Sequence, residues 1–131
     1  MVLDDPNLVI DTLLQVPYRP GGSEIWGADC WGIVELWYDL ALGIKLDDRS
    51  NHEPGEAGLQ AGFNAAQHWQ KIEQPEDHCL VIMRAKGFEA GHVGVFYGGS
   101  VLHSDEQHGC VYQPISDRFI RSKITRFLKH T

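Results

Sequence analysis

Cys30 sits where a glycine-bearing loop gives way to a helical pattern, in the stretch GADCWGIVELWYDLALG at residues 27–43. Asp29 is the type of residue that caps a helix N-terminus, which makes Cys30 the first helical residue. Unsatisfied backbone N–H groups and the helix dipole favour a thiolate there, the nucleophilic form of cysteine. The alternative is a buried structural thiol, because Cys30 shares its helix face with Ile33, Val34, Trp37 and Ala41.

The stretch HVGVFYGGSVLHS at residues 92–104 bears on that choice. With Gly98 and Gly99 as a two-residue hairpin loop, Tyr97 faces Ser100, Phe96 faces Val101, Val95 faces Leu102 and Gly94 faces His103. His92 shares the face of Gly94 at the strand's period of two, so His92 and His103 become diagonal neighbours, about 7–8 Å apart between backbones. A four-residue loop keeps this parity; a three-residue loop puts the histidines on opposite faces. A nucleophilic thiolate needs a base within hydrogen-bond reach, and the base needs a third group to orient it. Cys30, His92 and His103 supply those three types, although each histidine taken alone reads more readily as an ordinary core or surface residue.

Tyr18 lies in the loop PYRPGG that leads towards Cys30 and could fold back over it, simple packing being the other reading. His52, His68, His78, His108 and His130 show no comparable arrangement and are read as structural. Together with Cys79 and Cys110 they form no CxxC pair, HExxH or other compact ligand spacing, so neither a metal nor another cofactor is expected. Cys79 and Cys110 each open a strand-like run, where they pack as small apolar residues.

These residues need elements to hold them. Residues 5–16 read as a short helix ending before Pro17. From Cys30 the apolar spacing continues through Leu40, Ala41 and Ile44, with Gly43 placed to stop the helix. Residues 47–57 read as a loop, and AGLQAGFNAAQHWQKI at 57–72 as a second, weaker helix. From residue 79 the pattern changes to short strands: CLVIMR, HVGVFY, SVLHS, GCVYQPI and KITRFL. Helices followed by strands predict an α+β fold with an antiparallel sheet of about five strands.

At 131 residues the chain has the size of one domain, with a composition of ordinary globular type. Eighteen acidic against eleven basic residues give a net charge of −7, which argues against a nucleic-acid partner. The basic run Arg118, Arg121, Lys123, Arg126 and Lys129 alternates with apolar residues and reads as the solvated side of a final strand. The first residues, MVLDDPNLVIDTLL, have no basic, apolar signal pattern, and no run is long enough for membrane insertion. Cytoplasmic synthesis and three reduced thiols are the expectation.

The motifs PYRPGG, DCWGIVELWYDLALGI, CLVIMR, GHVGVFYGGSVLHS and GCVYQPIS, across residues 17–115, resemble the NlpC-type cysteine peptidases. That resemblance implies a papain-like single domain over 1–131, with cleavage of peptidoglycan stem peptides, specifically the amide between D-glutamate and diaminopimelate. It implies Cys30 as nucleophile, His92 as base, His103 as the polar third member and Tyr18 as a donor near the oxyanion. Trp31 stands where many cell-wall members have serine, which alters the usual substrate subsite, while Asp29 remains for a substrate amine. The DCWG form looks most like the branch associated with bacteriophage tails and gene-transfer particles, which implies tail-tip or hub proteins as partners and action in the periplasm. The competing readings are a structural tail component with an idle triad, docked through aromatics such as Trp69, and another papain-like amidase.

Overall fold

The computed structural model describes residues 5–46 and 69–131. Helix α1 spans Pro6–Leu13: Asp5 caps it by accepting the Asn7 N–H at 2.9 Å, and proline at the first position costs no hydrogen bond. Its helical stretch is shorter than the sequence pattern implies, because the chain tightens after Leu13, with the Val16 N–H donating to the Leu13 carbonyl. A small hairpin follows, β1 (Ser23–Glu24) and β2 (Gly27–Ala28), in what the sequence presents as loop.

Helix α2 starts at Cys30 as expected and runs to Trp37, then widens into a π-helical turn over Tyr38–Leu42 that ends at Gly43. Ile33, Val34 and Trp37 have no exposed surface. Burying each such side chain contributes about 1.5–3 kcal/mol, so this apolar stripe fixes α2 firmly on its sheet.

Strands β3 (Trp69–Ile72), β4 (Leu80–Ala85), β5 (Phe88–Tyr97), β6 (Ser100–Asp105), β7 (Gly109–Pro114) and β8 (Ile124–His130) form one antiparallel sheet in the order β3-β8-β4-β5-β6-β7. All five strand runs of the sequence are present. The sixth strand is a correction: Trp69–Ile72 ends the segment read as a helix, yet it pairs with β8 from Trp69–His130 to Ile72–Phe127. The other residues of that segment, and the loop 47–57, lie outside the described residues. The basic run is corrected too, since Asp117 accepts the Phe119 N–H and starts a one-turn helix, α3 (Arg118–Arg121), before β8 begins. Arg126 and Lys129 remain on β8, where they pair with Glu89 and Glu76.

Strand alternation divides the core in two. Leu80, Ile82, Val93, Val95 and Leu102 pack with α1 and α2 on one side. Cys79, Val81, Met83, Phe96 and Val101 gather with Ile120 of α3 on the other. Among the described residues no helix is long and apolar enough to cross a membrane.

Candidate active site

The start of α2 is tied to the loop before it. Asp29 is buried, and its carboxylate accepts two backbone N–H groups, Gly32 at 2.8 Å and Gly21 at 3.0 Å, while its own N–H donates to the Gly22 carbonyl. The fit is close enough that a Cβ on Gly32 would lie 2.0 Å from the Gly22 oxygen. Glycine is thus required within the first turn of a helix, where its propensity is poor. Tyr18 is held beside this junction by its neighbours, as the Ala28 N–H donates to Pro17 and the Arg19 N–H to Ala28.

Cys30 emerges half-buried at the first position of α2, while Cys79 and Cys110 are only 2% and 8% exposed. Burial pushes the Cys79 thiol up to about 11 and the Cys110 thiol up to about 12. Limiting iodoacetamide near neutral pH is therefore expected to modify Cys30 first, by a margin of tenfold or more, as peptide mapping after a brief exposure would read. Slower labelling of Cys30 than of the other two in the folded protein would make it a structural thiol.

The two histidines meet as the hairpin parity requires. Val95 pairs with Leu102, Phe96 with Val101 and Tyr97 with Ser100, around a turn whose Gly98 and Gly99 both have positive φ. His92 Nε2 and His103 Nδ1 are 2.8 Å apart, with the rings edge to face. Gly94 lies between them on the same face, and a Cβ there would come 2.9 Å from the Cβ of His103 and 2.6 Å from Val101. Both contacts fall on sheet-fixed groups, so Gly94→Ala is expected to displace His103 and lower turnover at least about tenfold without unfolding the sheet. Unchanged turnover in that variant would mean the histidine contact is dispensable.

Burial lowers the affinity of His92 for a proton, and the charge that His103 would carry lowers it further. Burial does the same to His103, against the opposing effect of the hydrogen bond its ring makes to the Gln113 side-chain oxygen. His78, packed between Trp37 and Tyr97, is lowered as well. In the unfolded chain all three protonate near the ordinary value of about 6.5. The unfolded state therefore binds more protons below that pH, so the stability these groups contribute is complete above it and is lost as pH falls. The thermal midpoint should drop by on the order of 5 °C between pH 7.5 and pH 5. A flat or rising midpoint would contradict imidazoles held neutral by the fold.

Tyr18, Asp29, Cys30, Trp31, His92 and His103 all line one cleft of about 800 Å³. Gln113, Lys123 and Phe119 line it too, and sequence reasoning did not single them out as part of a site. Trp31 is nearly fully buried and packs edge-on against Trp69. Trp69 in turn contacts Tyr38 and His130, so it belongs to a half-buried aromatic cluster and is not the exposed docking aromatic that the sequence implied. Among the described residues the exposed aromatics are Trp26, Phe88 and Phe119. His78 accepts a hydrogen bond from the Trp37 indole, and His108 bonds Asp105. His52 and His68 lie outside the described residues. Among the described residues no three His, Cys, Asp or Glu side chains are grouped to hold a metal.

A cysteine at a helix N-terminus, sharing a cleft with paired histidines on an antiparallel sheet, defines a cysteine peptidase of papain-like fold. Residues 15–129 match the NlpC/P60 family, and the chain belongs to that family. No curated protein sequence matches the chain. Among solved structures, the NlpC/p60 domain of the peptidoglycan hydrolase SagA superposes with a TM-score of 0.64 at 17% identity, over 95% of both chains. A lipoprotein-like NLP/P60 protein of Staphylococcus aureus gives 0.63 at 20% identity, over 99% of this chain and 43% of that one. The peptidoglycan hydrolase RipB of Mycobacterium tuberculosis gives 0.52 at 16% identity, over 95% of this chain and 65% of its own. The chain thus spans nearly all of the SagA domain but less than half of the staphylococcal protein.

Proposed function

We propose that the chain hydrolyses an amide of bacterial peptidoglycan stem peptides, with Cys30 as nucleophile and His92 as base. One observation carries the reading: Cys30, His92, His103 and Tyr18 line a single cleft in which His92 Nε2 already contacts His103. That contact leaves Nδ1 as the ring nitrogen of His92 available for proton transfer. The Cys30 thiol gives its proton to His92 as sulfur bonds to the amide carbonyl carbon. The C–N bond then breaks, and the leaving amine takes the proton back. Water attacks the resulting thioester, giving one proton to His92, and the carboxylate product leaves as the thiol is restored. The Cys30 backbone N–H and the Tyr18 hydroxyl stabilise the oxyanion, the contribution that is usually largest.

The bond we assign is that between D-glutamate and diaminopimelate. Asp29 lies on the cleft wall, where its carboxylate would meet a substrate amine, although two of its acceptor sites serve the backbone. Trp31, buried against Trp69, gives that wall an apolar character where a serine hydroxyl would be polar. The DCWG form supports a place on a phage or gene-transfer particle, where the enzyme would open the wall from a tail tip. Incubation with a disaccharide-tetrapeptide tests the reading, mass spectrometry being used to look for diaminopimelyl fragments. Failure of the purified protein to cut any stem peptide, combined with tight binding to tail proteins, would replace it with a structural role.

A further inference from the structure

Gln113 is an edge-strand residue that lies across from Val101, and His103 is two residues further along β6. The two are therefore diagonal neighbours on one face, and Gln113 Oε1 comes within 2.6 Å of His103 Nε2. We infer that Gln113 is a positioning residue, whose side-chain carbonyl decides which nitrogens of His103 and His92 carry protons. This inference rests on the assignment of His92 as the base.

A neutral imidazole has one N–H and one bare nitrogen. An oxygen at His103 Nε2 requires the proton there, which leaves His103 Nδ1 bare. That nitrogen, 2.8 Å from His92 Nε2, can then only accept, so His92 must carry its proton on Nε2. Nδ1 of His92 is left bare, in the form that can take a proton from a thiol. With the opposite polarity, His103 Nδ1–H donates to His92 Nε2, and the His92 proton moves to Nδ1, where it blocks the base. The two arrangements of an isolated histidine pair make the same single hydrogen bond; with its amide oxygen facing His103 Nε2, as it does here, Gln113 favours the first. It touches neither Cys30 nor the reacting atoms in this scheme and acts only through His103.

Side-chain 15N spectra of histidine-labelled protein near pH 8 test this without reference to activity. Both His92 and His103 are expected as Nε2–H tautomers in the unaltered chain. Gln113→Leu, which keeps side-chain bulk at a half-buried edge position, should show Nδ1–H signal at His92 and lower kcat about tenfold, with KM changed less than twofold. Gln113→Asn, with a shorter carbonyl, should fall between the two in both measurements. An Nδ1–H tautomer at His92 in the unaltered chain, or tautomers unmoved by Gln113→Leu, overturns the inference. If tautomers shift as described while the unaltered chain cuts no stem peptide, the proposed function falls and the role of Gln113 in the pair stands.

Discussion

Cys30→Ala is expected to abolish stem-peptide hydrolysis, by about a thousandfold or more, while leaving the thermal midpoint within a few degrees of the unaltered protein. Removing the nucleophile of a concerted triad costs nearly all the rate that the triad supplies. The structural cost is small because Cys30 is half-buried at a helix end and the cap that starts the helix is Asp29, not the thiol. Binding of the uncut peptide should survive, as calorimetry on the variant would show. Activity within tenfold of the original would remove Cys30 from the mechanism. A large loss of stability alongside lost activity would instead return it to the core.

The histidines are expected to separate by role. His92→Ala should lose about as much as Cys30→Ala, because no other group in the scheme can carry the proton, whereas His103→Ala should retain at least about tenfold more activity, since water can partly replace an orienting group. Asparagine at position 103 should do better than alanine by keeping a polar partner for His92. Steady-state kinetics on folded variants decide this. Equal and complete losses in both alanine variants would mean that the base has been assigned to the wrong ring.

The parts of the site set by local rules were legible in the sequence. The hairpin register follows from two glycines and a period of two, so the meeting of His92 and His103 could be stated from parity alone. The start of α2 was equally plain, because Asp29 and the following apolar spacing are local signals. What escaped depends on distant pairing. Trp69–Ile72 continues a helical pattern in the sequence and becomes a strand only because β8, from the other end of the chain, supplies its partner. Gln113 could not be singled out without the β6–β7 register, since nothing in its own neighbourhood marks it. The Asp117 cap, by contrast, was a local signal hidden behind the alternation of basic and apolar residues that follows it.

The site also has an uneven ancestry in the folding chain. His92, His103 and Gln113 come from three successive strands, with sequence separations of only 11 and 10 residues between hydrogen-bonded partners. Hairpins of that span close in about 1–10 μs, and the entropy lost in closing them is small. Cys30 arrives from the far half of the chain and joins the histidines only when α2 docks on the sheet, a contact of much longer range. On the proposed mechanism, the histidine relay should therefore assemble before Cys30 reaches it. A chain still emerging or half-folded would then carry an inert thiol, so under the proposed function recovery of hydrolysis after refolding would time the docking of α2, and not the formation of the sheet.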